Sequence, residues 1–142
     1  SGACQMFRRK CFEDIGGYIP IKGGGIDWTA VTTARMKGWK TRTFTEEKCI
    51  HHGIMGADDI GLLTSRFRMG KKDYFLGWHP LWEIFRAFYQ MKHKPYLIGG
   101  FLLYCGYIWA FITRVERPIS NELLEFNRKE QIQRLKQKLF MR

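Results

Sequence analysis

One carboxylate, Asp27, stands where a glycine-rich loop gives way to a predicted helix. The helix is predicted because Trp28 and Val31 fall at helical spacing and Gly38 supplies a C-terminal stop. An Asp at a helix start commonly accepts a backbone N–H as the N-cap. That structural role and a chemical role for the carboxylate are the two alternatives for Asp27.

The loop before Asp27 holds three consecutive glycines, Gly23, Gly24 and Gly25. Glycine lets the backbone take positive φ or approach a ligand closely. The spacing lacks the fingerprint of a dinucleotide site or a P-loop, so a flexible loop is the alternative to a ligand-binding one.

Two further groups of residues could bind a metal or a phosphate. His51 and His52 are adjacent on a predicted strand and point to opposite faces, so only one of them could reach a given metal, and a hydrogen-bonded structural histidine is the alternative. Arg66 and Arg68 could hold a phosphate, or could belong to a solvated or lipid-facing basic surface. Asp58 is followed directly by a second Asp, and this pair is typical of a helix start.

The charge of the chain is uneven. The 142 residues carry a net charge of +11, and a hydrophobic share of 45% can fill the core of one ordinary domain. Residues 1–65 hold 9 Lys/Arg against 7 Asp/Glu, residues 66–94 hold 7 against 2, and residues 95–142 hold 8 against 4. The excess beyond residue 65 predicts an anionic partner, either nucleic acid or phospholipid. Because the basic residues flank an uncharged apolar run at 96–113, phospholipid is favoured.

The cysteines and the N-terminal residues indicate a reducing compartment. The four cysteines form no CxxC pair, so neither a zinc site nor a disulfide framework is predicted. The first residues do not have the pattern of a signal peptide. We therefore expect any catalytic part to face the cytoplasm.

Alternation and helical spacing predict a compact α/β arrangement in the N-terminal part. Residues 2–8, 39–44 and 49–52 are predicted strands, and a short helix near Cys11 ends at Gly16 and Gly17.

The C-terminal part is predicted to be helical. Pro80 opens a helix with Leu81, Ile84 and Phe88 on one face and Glu83 opposite, which fits either core packing or a helix at the membrane interface. The uncharged run at 96–113 is slightly short for a membrane span, so a re-entrant or in-plane arrangement is favoured. Ser120 is predicted to cap a last, basic helix.

Residues 2–44 carry a family resemblance. The range contains the segment CQMFRRKCFEDIGGY, then the acidic residue Asp27 and, one helix later, Gly38 and Trp39. This order of features resembles the C-terminal half of the catalytic domain of family 2 glycosyltransferases, which have the GT-A fold. The later segments HHG, RFRMGKKDYFLGWHPLWEIF and EQIQRLKQK look like the membrane-associated end of bacterial members that build polysaccharides.

The resemblance implies an inverting transfer of a sugar from a nucleotide-sugar donor to a hydroxyl of a glycan or lipid-linked acceptor. It implies that Asp27 is the general base and that His51 is a ligand of a divalent metal, Mg or Mn, on the donor diphosphate. It places Arg66 and Arg68 near that diphosphate. The candidate substrate-binding residues beside the base are Gly24, Gly25 and Trp28.

The chain also departs from the family pattern. Ile26 stands where the family commonly has Glu, so one carboxylate of the acidic pair is missing. The nucleotide-binding half, which would hold most of the metal site, would precede residue 1. The expectation is therefore an incomplete GT-A fold of class α/β in residues 1–65, followed by a basic, aromatic-rich, membrane-associated helical region in residues 66–142.

The expected partners are the donor, the acceptor and an anionic membrane, with no nucleic acid, at the cytoplasmic face of a bacterial inner membrane. The alternative function is a non-catalytic, basic amphipathic protein that binds membrane surfaces or acts as a scaffold.

Overall fold

The computed structural model describes residues 4–21, 23–44, 46 and 59–140. In these ranges the chain forms six helices, which are α1 (Arg9–Asp14), α2 (Ile26–Met36), α3 (Asp59–Phe75), α4 (Pro80–Gln90), α5 (Ile98–Ile112) and α6 (Asn121–Phe140). They fall into two compact units, Ser1–Gly53 and Ile54–Arg142. The division into domains 1–65 and 66–142 stays a prediction.

The predicted α/β class, an incomplete GT-A fold, is wrong. No residue of the described ranges is in a strand, and all regular structure there is helical. Residues 5–8, which belong to the predicted strand 2–8, and the predicted strand 39–44 carry no regular secondary structure. Alternating side chains define a face, but a strand forms only where a neighbour pairs its N–H and C=O groups, and within the described residues neither segment has one. The predicted strand at 49–52 lies outside the described residues.

The first unit is built on the packing of α1 against α2. Its buried core consists of Cys11, Ile15, Ala30 and Ala34, with three partly buried aromatic residues around it, Phe7, Phe12 and Trp39. Ala30 and Ala34 contribute the two small side chains of α2 to this core. Gly16 and Gly17, at φ 78° and 73°, end the first helical segment and turn the chain, as their sequence position predicts.

The second unit is held together by a close contact between α3 and α5. A Cβ atom at Gly70 would collide with the main chain at Leu103, and a Cβ atom at Gly106 would collide with the main chain at Phe67. Glycine is therefore required at both positions for the two backbones to approach. Next to this contact Tyr74 packs edge-on against Tyr107, their ring centres 5.6 Å apart.

Helices α4 and α5 run antiparallel. Gly100, near the start of α5, lies against Ala87 and Met91 at the end of α4. Toward the other end, the Tyr107 hydroxyl donates a hydrogen bond to the main-chain oxygen of Trp78, just before α4, at 2.8 Å. The two helices thus lie side by side over most of their length.

The starts of α4 and α6 follow the sequence prediction. Pro80 is the first residue of α4, and Nδ1 of His79 accepts a hydrogen bond from the Leu81 N–H at 3.1 Å. Oγ of Ser120 accepts a bond from the Leu123 N–H at 3.3 Å at the start of α6. None of the helices in the described part of the chain is long and apolar enough to cross a membrane. The glycines of α5 make no hairpin, because Ile98–Ile112 is one continuous helix.

Candidate functional site

The three glycines before α2 all adopt left-handed backbone conformations. The φ angles of Gly23, Gly24 and Gly25 are 103°, 88° and 99°. A side chain at any of these positions would be strained, so the loop follows a path that only glycine takes readily. Gly25 is buried and occupies the N-cap position of α2. The loop therefore determines where the first turn of α2, and with it Asp27, begins.

Asp27 lies in the first turn of α2 and is not the cap of this helix. The cap position belongs to Gly25, and no side chain there bonds the helix N-terminus. The main-chain oxygen of Asp27 accepts a hydrogen bond from Nε2 of Gln5 at 3.2 Å, and Oε1 of Gln5 accepts one from the Tyr18 hydroxyl at 3.1 Å. The structural alternative for Asp27, an N-cap, is therefore wrong, and its backbone is tied to the segment before α1.

The half-buried position of Asp27 suits a carboxylate that accepts a proton. A hydroxyl bound within hydrogen-bond reach could pass its proton to such a group. Gly24 and Trp28 are partly exposed on either side in the sequence, whereas Gly25 is buried. The four residues form one loop-to-helix junction, and their roles in substrate binding stay a prediction.

The far end of α2 is fixed to the end of α1 through Asp14. Its Oδ2 accepts a hydrogen bond from the indole Nε1 of Trp39 at 2.8 Å. Nζ of Lys37 donates to the main-chain oxygen of Asp14 and lies 3.4 Å from its Oδ1. The hydrogen bond from Trp39 is the largest cause of a lowered pKa of Asp14; burial opposes it, and the charges of Lys37 and Lys10 lower the pKa further. Gly38, at φ 84°, makes the turn that brings Trp39 back.

Two other predicted site residues belong to the second unit. Arg66 and Arg68 belong to α3 in the second unit, where Nη2 of Arg66 donates to the main-chain oxygen of Lys94 at 3.4 Å and Arg68 is exposed. His51 lies outside the described residues. Among the residues that are described, no three His, Cys, Asp or Glu side chains are grouped so that they could hold a metal ion.

Helix α4 has its apolar side facing outward. Leu81, Ile84 and Phe88, one helical face, are all exposed, and Phe88 shows 64% of its surface. Glu83 and Ala87, on the opposite face, are buried. In an ordinary surface helix the apolar face packs on the core and the charged face meets water. The reversed arrangement in α4 leaves an exposed apolar face, the kind of surface that commonly binds a partner.

Helix α5 continues the exposed apolar surface. One side of α5 is buried in the unit, at Gly99, Gly100, Leu103, Gly106, Tyr107 and Ala110. Its other side exposes Ile98, Phe101, Trp109 and Ile112, with Leu97 just before the helix. A helix that is apolar all round is normally enclosed on all sides or in contact with lipid, and α5 is enclosed on one side only.

Arginines form a groove at the C-terminal end of α5. It is lined by Tyr74, Phe111, Ile112, Arg114, Arg117 and Arg128. Nε of Arg117 donates to the main-chain oxygen of Tyr74 at 3.2 Å, and Nε of Arg128 donates to that of Gly77 at 3.2 Å. Each bond uses one of the five N–H groups of a guanidinium, so both arginines keep donors for an anion.

A pair of acidic residues is buried between α3 and α4. Glu83 is completely buried, and its two carboxylate oxygens have no hydrogen-bond partner. Burial, together with the nearby charge of Asp73, raises the pKa of Glu83 to about 8 against the opposing effect of Arg86. Burial likewise raises the pKa of Asp73 to about 7, although Nη1 of Arg86 donates to its Oδ2. We place the proton on Glu83, because the guanidinium of Arg86 stabilises the charge of Asp73.

Sequence reasoning missed Glu83 and the arginine groove. Helical spacing assigns Glu83 to a polar face, and a polar face is normally solvated. The arginines of the groove come from the end of α5, the following segment and α6, and a linear sequence gives no signal that Arg117 and Arg128 meet. Helical spacing predicts that α4 has an apolar face, but it does not predict that this face points outward.

Comparison of the chain with protein-family models, with curated proteins and with solved structures finds no match in any of the three.

Proposed function

We propose that the chain is part of an inverting glycosyltransferase, in which Asp27 is the general base. The supporting observation is the position of Asp27, in the first turn of α2 directly after three left-handed glycines. The order of sequence features, which resembles that of family 2 glycosyltransferases, also supports the proposal. All of these features belong to one compact unit: α1, its double-glycine end, Asp27 and the Gly38–Trp39 pair.

The proposed reaction needs a proton acceptor beside the attacking oxygen. The acceptor hydroxyl attacks the anomeric carbon on the face opposite the nucleoside diphosphate, the bond to the diphosphate breaks, and the configuration inverts. The hydroxyl proton moves to the carboxylate of Asp27 as the new bond forms. A correctly placed base of this kind contributes roughly 10²- to 10⁴-fold to the rate.

The donor and its divalent metal, Mg or Mn, would be bound mainly by a nucleotide-binding half outside these residues. The metal would neutralise charge that develops on the leaving diphosphate. His51 as a ligand, and Arg66 and Arg68 as diphosphate contacts, belong to the same proposal.

The proposed partners are a nucleotide-sugar donor, a glycan or lipid-linked acceptor and an anionic membrane, at the cytoplasmic face of a bacterial inner membrane. The exposed apolar surfaces of α4 and α5 support a membrane partner. Nucleic acid is not proposed, because the basic residues border apolar surfaces and no recognition motif is present.

The proposal is tested by replacing Asp27→Asn at the native locus, so that the protein is assayed as its own cell makes it. Membranes from these cells should incorporate sugar from nucleotide-sugar donors at a rate lower by orders of magnitude, while donor binding is nearly unchanged. Glu13→Gln is the control, because it neutralises an exposed carboxylate of the same unit and should leave turnover intact. An active Asp27→Asn enzyme would refute the assignment.

The second candidate function is a non-catalytic protein that binds membrane surfaces. The outward apolar face of α4 favours this second candidate, because such a surface can bind a membrane without any catalytic activity. The two candidates differ in one result. If Asp27→Asn and wild-type cells make the same glycans but the protein still localises to membranes, the second candidate holds.

A further inference from the structure

We propose that the outer faces of α4 and α5 together form a surface that lies flat on an anionic phospholipid bilayer. This lipid-docking surface consists of Leu81, Ile84 and Phe88 of α4 with Leu97, Ile98, Phe101 and Ile112 at α5. The inference rests on the membrane part of the proposed function and names the residues that would carry it. It is independent of the chemistry at Asp27.

The contact between the two helices places their exposed phenylalanines on the same side. Ala87 of α4 faces Gly100 of α5. Phe88 follows Ala87 on α4, and Phe101 follows Gly100 on α5. Each phenylalanine is therefore rotated by about 100° around the axis of its helix, relative to the residue before it. Because the helices run antiparallel, the two rotations have opposite senses when viewed along one direction, and both rings turn to the same side of the pair. The remaining residues of the surface follow Phe88 and Phe101 at helical spacing.

This side of the pair is not used by the rest of the unit. The buried residues of α5 meet α3 and α4, and the buried Glu83 and Ala87 of α4 face inward. Phe88 and Phe101 remain 64% and 60% exposed. An α-helix of 15 residues is about 22 Å long, so α5 and the neighbouring α4 offer a continuous apolar area rather than isolated side chains.

The charges around the surface match an anionic bilayer. From Ile84 to Val115 the chain contains no Asp or Glu and four Lys or Arg residues. Lys92, His93 and Lys94 are exposed in the turn at one end of the helix pair. The arginine groove with Arg114 lies at the other end, beside the exposed Phe111 and Ile112. Cations at both ends can meet lipid phosphates while the apolar residues between them enter the boundary of the acyl chains.

The test is flotation of the full chain with phosphatidylcholine vesicles that contain phosphatidylglycerol. The wild type should float with these vesicles and bind pure phosphatidylcholine much more weakly. The double variant Phe88→Ser/Phe101→Ser should lose roughly a hundredfold in affinity, because two exposed phenylalanines no longer enter the bilayer. Lys92→Gln/Lys94→Gln should lose roughly tenfold or more on the anionic vesicles alone.

A matched pair of isoleucines provides the control. Ile98→Ser changes an isoleucine that is 55% exposed at the start of α5, and Ile19→Ser changes one that is 54% exposed in the first unit. We expect weaker binding only for Ile98→Ser. Circular dichroism checks that each variant keeps its helix content, so a binding loss in a folded variant is attributable to the surface.

Two results would overturn the inference. One is equal flotation of the wild type and of the folded Phe88→Ser/Phe101→Ser variant. The other is a wild-type dimer, seen by analytical ultracentrifugation without lipid, that the double variant dissociates while neither protein floats, because the surface would then bind a second copy of the chain. Either result leaves the role of Asp27 untouched, and loss of the Asp27 assignment leaves flotation unchanged.

Discussion

The indole of Trp39 donates a hydrogen bond to the carboxylate of Asp14, with 2.8 Å between Nε1 and Oδ2. Asp14 is the last residue of α1, and Trp39 follows the glycine that ends α2. The bond therefore links the C-terminal end of α1 to the C-terminal end of α2. Trp39 also packs against the core of the first unit, so one side chain contributes both apolar and polar contacts.

Replacing Trp39→Phe should raise the pKa of Asp14 toward its ordinary value, because the largest cause of the lowering is the bond from the indole. An Asp whose pKa is lowered by folding stabilises the folded state above its unfolded pKa, near 3.8, and this stabilisation is lost as the pH falls through the folded pKa. NMR titration of the Asp14 carboxyl measures the change directly. Trp28→Phe is the control and should leave the Asp14 titration unchanged.

The buried Glu83 predicts that the second unit loses stability as the pH rises. Its folded pKa of about 8 exceeds the value of 4.5 for a free side chain. Between these values the folded state holds a proton that the unfolded state has released. The free energy of unfolding should therefore fall across this window, by on the order of a few kcal/mol, and level off above it. Urea unfolding followed by tryptophan fluorescence at a series of pH values checks the slope.

The variant Glu83→Gln should remove most of this pH dependence, because the amide is neutral at every pH. Glu125→Gln, which neutralises an exposed carboxylate on α6, should keep the wild-type slope. A flat wild-type profile together with a strongly destabilised Glu83→Gln variant would show that Glu83 is ionised and paired.

Gly106→Ala should destabilise the second unit by about 1–3 kcal/mol, because its Cβ would collide with the main chain at Phe67 and force α3 and α5 apart. Gly70→Ala should behave in the same way at the main chain of Leu103. The free energy of unfolding in urea measures both.

Gly61→Ala is the matched control on α3. Gly61 is exposed near the start of that helix, and alanine has the higher helix propensity by roughly 1 kcal/mol. We expect a small gain in stability there. A loss at Gly61 comparable to that at Gly106 would contradict the role assigned to close backbone contact.

Local signals in the sequence predict the helix ends. Pro80, Ser120 and Gly38 act through their own backbone or a neighbouring N–H, so their effect can be read from a few residues. The predicted strand at 39–44 failed because pairing depends on a distant partner. Trp39, its first residue, instead meets Asp14 across the unit.

Part of the candidate site could also be predicted from local signals in the sequence. Three consecutive glycines before an acidic residue predict an unusual loop, and the φ angles of Gly23, Gly24 and Gly25 agree. The spacing of Leu81, Ile84 and Phe88 predicts an apolar face, but spacing does not say whether that face is covered. The burial of Glu83 depends on the positions of α3 and α5, which no local pattern contains.

The close contact through Gly70 and Gly106 has an electrostatic consequence for α3. Helices separated by larger side chains lie about 8–10 Å apart, and glycine at both positions lets the main chains of α3 and α5 come into direct contact. Lys71 of α3 already reaches α5, with its Nζ 4.2 Å from the centre of the Trp109 ring. The close packing therefore lets one cation of α3, Lys71, cover Trp109, which is 46% exposed, so α3 contributes positive charge beside the exposed side of α5.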